Sequence, residues 1–584
     1  MLRDSLRRWR HGPLSVWWHP ALRVPIAGIE ALFGVSPTWT EDVLTYLRSR
    51  RVVRSVDVYD AQELSWRDAA RVHDPAYLAS LDDPGVLADI LGLPGERVPV
   101  AAMLAHVRRA CGATLAAARH VIAHGGRAGV LGGGFHHAAP SRGAGFCVLN
   151  DVAIAVRCLR SDGHAGPIVV LDLDAHPPDG IVGALADDPR VHVRSLGVAS
   201  EWTVPDGTRA DVVDRRVPAN TEDAGYLTAL HALLDTLPAA DLVFYIAGAD
   251  PLVGDPLGGL RVSEVGLRQR DAQVFRAVGD KPTVIMAGGG YTDDSWRVLA
   301  GTLAEAAGDG RPVPPGWDPL LKRTRDIAAK LDPDRLAGDA GWLEIAEVYE
   351  SLGIPTSEPR FLGYYTRHGV EYALSSYGLL ERLTEMGFTG IGFELELDGP
   401  SDRLRVTVQL GEAADAVLDL SVSRRQRDGF QFLFVEWLEL RDPRVSTHRR
   451  ALLPGQRSPG LGLSDHVMQV LIQAALRTGL QGVAFVPAHY HVAVMASRRF
   501  VFLDPEVAGR FTALRTWLGD RTLLDASSAL ETPGIELDGA RVTWEPAWMV
   551  LPVDERLQEA LAQRATESES ASQARLAWLA ARTI

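Results

Sequence analysis

The first half of the chain alternates two hydrophobic rhythms. Compact apolar runs at residues 127–131, 168–173, 191–196, 242–247 and 283–287 have the length and β-branched content of buried strands. Between them, 152–159, 226–237, 265–278 and 295–307 carry apolar positions at three- and four-residue spacing, as helices do. A longer helical stretch, 103–124, leads into the first run and stops at Gly125-Gly126. Upstream, 40–50 reads as a short helix, 52–59 as an alternating strand and 66–81 as one helix. Strands alternating with helices predict an α/β fold, a parallel sheet sandwiched by helices.

The rhythm breaks at residues 308–316, Gly-Asp-Gly-Arg-Pro-Val-Pro-Pro-Gly, a linker composition. Residues 320–352 are mostly helical in spacing. Four alternating or aromatic-rich runs follow at 391–397, 404–410, 416–422 and 430–440, with connections short enough for an antiparallel meander. A helix at 465–478, a strand at 482–487 and a tail from residue 566 that is Ser/Glu-rich, then weakly helical, and expected to be mobile complete the chain. The expected organisation is a catalytic domain at 1–307, a linker and helical connector at 308–354, an α+β domain at 355–555 and a mobile tail at 556–584.

Composition narrows the setting. At 584 residues the chain is too long for one core. A net charge of -14 argues against a nucleic-acid or anionic-membrane coat. Only three lysines are present, and the Arg, Ala, Gly and Leu richness suggests a GC-rich bacterial genome. Cys111, Cys147 and Cys158 show no CxxC spacing, no signal-peptide pattern is visible, and no run of 18 apolar residues appears. A cytoplasmic protein without a membrane span is expected.

In parallel sheets, ligands gather at the carboxyl ends of strands, and four Gly- or Asp-rich turns fall there. They are Gly132-Gly133-Gly134, residues 172–180, Gly248-Ala249-Asp250 and Gly288-Gly289-Gly290-Tyr291. Asp174 and His176, two apart past a strand, would face the same way and suit a zinc-type ion. Asp250 ends another strand at the same edge and is the candidate third ligand. His136 and His137 can flank a water beside that ion, each with a carboxylate, Asp172 or Asp179, on its far nitrogen.

These residues resemble the zinc-dependent histone deacetylase family of the arginase/deacetylase superfamily over residues 15–307. The resemblance rests on Gly-Gly-Gly-Phe-His136-His137, Arg142-Gly-Ala-Gly-Phe146-Cys147, Asp172-Leu-Asp174-Ala-His176, Gly-Ala-Asp250-Pro-Leu-Val-Gly-Asp255-Pro and Gly-Gly-Gly290-Tyr291. Phe135, Ala175 and Leu257-Gly258-Gly259-Leu260 look most like its class IV. The resemblance implies that Asp174, His176 and Asp250 hold zinc and that His137, paired to Asp179, is general base and then acid. It implies that His136, paired to Asp172, gives electrostatic support and that Tyr291 donates to the forming oxyanion. It also implies that Phe146 lines a tunnel walled by Gly134 and Gly289, and that potassium binds beside Asp172. Val204, where the family often has an aromatic, suggests a tunnel less pinched on one side. The substrate class implied is an acylated lysine in a protein or peptide, acetyl or longer. An acylpolyamine or other small acylated amine is the competing substrate, and a degenerate acyl-ligand sensor or scaffold is the reading from another class.

In the C-terminal region, Arg457-Ser-Pro-Gly460-Leu-Gly462 ahead of a helix is similar to the acyl-CoA pyrophosphate loop of the N-acetyltransferase superfamily. Backbone N–H groups at a helix N-terminus suit phosphate. His489 and His491, alternate in one run, lack an acidic third partner nearby in sequence.

Overall fold

A computed structural model describes residues 14–25, 36, 38–93, 98–199, 203–204, 210–338, 359–397, 399–411, 413–444, 452–456, 460–519, 521–531, 533–537 and 540–580. The chain divides into two compact units, Met1–Pro319 and Leu320–Ile584.

The first unit is built on eight strands: β1 (Ser15–Trp18), β2 (Val58–Asp60), β3 (Arg127–Val130), β4 (Ile168–Asp172), β5 (Val191–Val198), β6 (Asp211–Val217), β7 (Leu242–Ile246) and β8 (Thr283–Met286). Their order across the sheet is β2-β1-β3-β8-β7-β4-β5-β6, and every pairing is parallel. Side chains alternate between two cores. Ile168, Val170, Leu242, Phe244 and Ile246 point into one, Val169, Leu171, Val243 and Tyr245 into the other. A strand buried on both faces has no polar positions to alternate with, which is why the central strands read as unbroken apolar runs.

Helix Val100–His124 packs on one face with Asp151–Ser161; helices Glu264–Val278 and Ser295–Ala306 pack on the other. Two strands escape the sequence pattern. β1 is four residues long, and β6 is an edge strand, Asp-Val-Val-Asp-Arg-Arg-Val, whose charged positions break the apolar run. The strand expected at 52–59 shrinks to β2, preceded by a 3-10 turn at Ser55–Asp57. The single helix expected at 66–81 is two, Trp66–Ala69 and Pro75–Ser80, because Pro75 can only start a helix and the preceding Asp74 is extended. The 308–316 stretch is irregular but anchored, with Asp309 and Val313 buried.

The second unit holds the expected meander. β9 (Thr389–Glu396), β10 (Asp402–Leu410), β11 (Ala413–Arg427) and β12 (Phe430–Leu440) pair antiparallel in sequence. Helix Ser464–Arg477 then leads to β13 (Gly482–Phe485), which lies parallel to β12. β14 (Val501–Phe502) completes the seven-stranded sheet with β17 (Met549–Pro552), and β15 (Ile535–Leu537) pairs with β16 (Ala540–Val542) separately. Helices Pro319–Ala328 and Pro333–Ala337 account for part of the helical stretch expected at 320–352; its remainder lies outside the described residues. Where a mobile tail was expected, helices Glu555–Gln563 and Ala565–Ala580 form. The reason is packing: Leu557 and Leu579 are fully buried, and Leu576 and Trp578 lie on the unit's core.

Candidate metal centre and active site

The four central strands, β3, β8, β7 and β4, end at one edge of the sheet, and each releases a loop there. β4 ends on Asp172, and the next residues stay locked to their neighbours. Leu173 donates to the Ile246 carbonyl at 3.0 Å and Ala175 to Asp250 Oδ1 at 3.0 Å. Asp174 and His176 are therefore fixed on the side facing Asp250, which follows β7. Among the described residues these three form the one cluster suited to a metal ion, with ligand atoms within 4.8 Å of one another. His176 Nδ1 lies 3.1 Å from Asp174 Oδ1 and 3.0 Å from Asp250 Oδ2, while Gly289 N–H donates to Asp174 Oδ2 at 2.6 Å.

The electrostatics ask for a cation. Burial, and then the Asp174 charge beside it, push the Asp250 carboxyl up to about 8. Burial opposes a charged His176, but hydrogen bonds and charges from Asp174 and Asp250 carry it up to about 11. Protons are here standing in for positive charge that two adjacent buried carboxylates need. One imidazole nitrogen and two carboxylates are a zinc-type donor set, so the residues fit the ion.

The histidine pair follows β3. Gly134 has φ +79°, and a Cβ there would lie 2.7 Å from the Gly288 amide nitrogen, so only glycine lets the two loops touch. His136 Nδ1 meets Asp172 Oδ2 at 2.8 Å, and His137 Nδ1 meets Asp179 Oδ1 at 2.6 Å. The rings sit 4.1 Å apart, with His136 Nε2 3.7 Å from Asp174 Oδ1. Burial works against charge on both, with opposite outcomes. Asp172 and Asp174 outweigh it and hold His136 up to about 9, whereas burial and then the His136 charge hold His137 down to about 4.

Tyr291 follows β8. Burial, then the charges of Asp174 and Asp250, push its phenol well above the ordinary range. Its ring lies 5.4 Å from Phe146, which holds a left-handed φ of +66° while its amide donates to the Ile90 carbonyl at 3.1 Å. Val204 is half-buried against the same core as Phe146.

Sequence reasoning gave no role to the buried groups behind these loops. Asp151 accepts from Gly134 N at 3.0 Å, Phe135 N at 2.8 Å and Thr114 Oγ1 at 2.7 Å, and so sets the backbone ahead of the histidines. His73 joins Ala139 O at 3.1 Å to the Asn150 amide at 3.0 Å. The signal available was an Asn-Asp pair opening a helix, which reads equally as a cap. In the second unit, Gly462 has φ +66° just ahead of helix Ser464–Arg477, Gly460 lies near the Leu440 carbonyl, and Arg457 falls outside the described residues. The acidic partner missing beside His489 is Glu531, at 2.7 Å, while His491 meets Ser527 at 2.9 Å.

The family model described as the histone deacetylase domain matches residues 35–307. An uncharacterised protein of Picosynechococcus is 35% identical over 250 residues, covering 41% of this chain and 80% of that one. Histone deacetylase 2 of Arabidopsis thaliana is 31% identical over 314 residues, covering 51% and 79%. The acetoin utilization protein AcuC of Bacillus subtilis is 27% identical over 345 residues, covering 53% and 85%. A solved HDAC homolog from Aquifex aeolicus aligns at TM-score 0.42 and 24% identity over 49% of this chain and 80% of that chain. With relatives above 30% identical matched over most of their own length, the chain belongs to the histone deacetylase family and is a hydrolase of the arginase/deacetylase fold.

Proposed function

We propose that the first unit hydrolyses the amide of an acylated lysine, acetyl or longer. The observation that carries this is the convergence of Asp174, His176 and Asp250 within 4.8 Å of one another beside two carboxylate-backed histidines. Zinc held by those three would polarise the acyl carbonyl and acidify the attacking water. The protein's own groups do the rest. Asp179 on Nδ1 sets the His137 tautomer so that Nε2 takes the proton from water as its oxygen bonds the acyl carbon. Tyr291 donates its hydroxyl to the carbonyl oxygen as negative charge builds there, and His136, backed by Asp172, lies alongside. The C–N bond then breaks, His137 returns the proton to the amine nitrogen, and acid and amine leave.

Val204, half-buried against the same core as Phe146 where the family often has an aromatic, favours a less pinched wall and longer acyl chains, as does the class IV likeness of Phe135 and Ala175. A small acylated amine remains the competing substrate. Potassium is assigned beside Asp172, whose carboxylate also takes the Asp174 amide at 3.1 Å. A cytoplasmic setting fits three buried free cysteines. The decisive experiment measures zinc content and acid release from lysine peptides bearing acyl groups of graded length, with an acylated polyamine alongside. Zinc-loaded protein that cleaves none of them sinks the proposal, and Asp250→Ala with full zinc occupancy sinks the ligand assignment.

For the second unit we infer an acyl-CoA-like site at Gly460-Leu-Gly462 and the undescribed Arg457. The support is that β13 ends at Phe485, just past its last pairing with β12 at Phe434, while β12 runs on to Leu440, whose carbonyl lies near Gly460. Calorimetry of acetyl-CoA with the full chain tests it; no heat of binding removes it.

A further inference from the structure

Asp255 lies five residues past the third proposed ligand and is 8% exposed. Its two oxygens serve different parts of the site. Oδ1 accepts from Leu257 N at 2.9 Å and Gly258 N at 3.0 Å, closing a turn over Asp250 so tightly that a Cβ on Gly258 would overlap the Asp250 carbonyl oxygen. Oδ2 reaches across to the loop after β8 and accepts the Tyr291 amide at 2.7 Å. A residue needed only for its own turn would use the first contact and leave the second to water.

The Tyr291 loop is held at three further points. Ala249 N–H donates to the Gly289 carbonyl at 2.6 Å, Gly289 N–H to Asp174 at 2.6 Å, and Thr292 N–H to Ser295 Oγ at 3.0 Å. Neighbouring glycines give this loop little stiffness of its own, since Gly288 has φ +70° and Gly290 φ +153°. The direction in which the phenol leaves the backbone is thus set by what grips the Tyr291 amide, and that is Asp255. A shift of about 1 Å at a reacting group is enough to lower turnover a hundredfold.

We propose that Asp255 is a positioning residue for amide hydrolysis: through the Tyr291 amide it aims the phenol at the reacting carbonyl and ties that aim to the Asp250 loop. This rests on the reading of Tyr291 given above. The demand for a carboxylate follows from the count of donors. Three N–H groups on two loops share two acceptor oxygens, and an asparagine offers one acceptor, so one loop would face its NH2 group.

The test compares Asp255→Asn, Tyr291→Phe and the double variant on an acyl-lysine peptide, in the zinc-loaded full chain. Expected for Asp255→Asn are full zinc content, unchanged KM and kcat lower by about tenfold to a hundredfold. Hydrogen exchange of a peptide spanning residues 288–292 should quicken. In the Tyr291→Phe background the same substitution should change kcat less than about twofold, because the hydroxyl it aims is gone. An equal loss in both backgrounds, or no loss in Asp255→Asn while Tyr291→Phe is crippled, overturns the proposal alone. Full turnover by Tyr291→Phe overturns the Tyr291 reading and the proposal with it. Asp255→Asn is close in shape to aspartate, and a loss of its zinc would mean a ligand-holding role instead, which also overturns it.

Discussion

Two single atoms mark how closely the site is built. Gly258 has no room for a side chain against the Asp250 carbonyl, so Gly258→Ala should push that loop off its ligand position. The expected result is zinc content well below one per chain, read by metal analysis, with far-UV circular dichroism unchanged. His73 shows the other kind of constraint. Fully buried, it accepts one N–H at Nε2, so Nδ1–H must donate to Ala139, and burial holds the ring down to about 4. An unfolded histidine titrates near 6.5. Between those values the unfolded chain takes up a proton that the folded chain refuses, so stability falls as pH drops from about 6.5 to about 4 and levels off below. The contribution is at most about 3 kcal/mol. Urea unfolding across that window should show a shallower slope for His73→Gln than for wild type. At this scale the sequence made the chemistry-bearing side chains legible, because Asp-x-Asp-x-His and His-His are unusual patterns. It hid the buried holders: Asp151, His73 and the second oxygen of Asp255 use ordinary residue types whose partners lie far along the chain.

At the scale of elements, legibility followed burial. Strands covered on both faces announced themselves as apolar runs, while β6 at the edge, with Asp214 and Arg216 paired on it, did not. The last helix, Ala565–Ala580, read as only weakly helical for a related reason. Its Ser/Glu-rich first half looks solvated, yet its backbone closes on helix Pro505–Trp517 at Gly509. A Cβ on Gly509 would overlap the Ser568 carbonyl oxygen and come within 2.5 Å of the Ala571 Cβ. In a free helix Gly→Ala stabilises by about 1 kcal/mol. Here Gly509→Ala should destabilise by about 1–3 kcal/mol through overpacking, measured by denaturant unfolding. A stabilised variant would mean that the two helices do not pack this way.

Across the whole molecule, the family likeness covers residues 35–307, and so explains one of two compact units. Asp174 and Asp250 lie buried side by side, so a cation bound between them should stabilise the first unit. Chelation should therefore lower its unfolding temperature, and zinc at a hundred times its dissociation constant should restore about 2.7 kcal/mol of stability. A thermal scan insensitive to chelator and zinc would contradict that. The order of the sheet adds a consequence in time. β7 and β8, the last strands of the unit to leave the ribosome, belong in the middle, between β3 and β4. Before they are made, β3 and β4 have no strands between them to join the two sides of the sheet. The same two strands deliver Asp250 and Tyr291. Closing the sheet and completing the catalyst thus depend on the same two late strands, and a half-made chain has no working site.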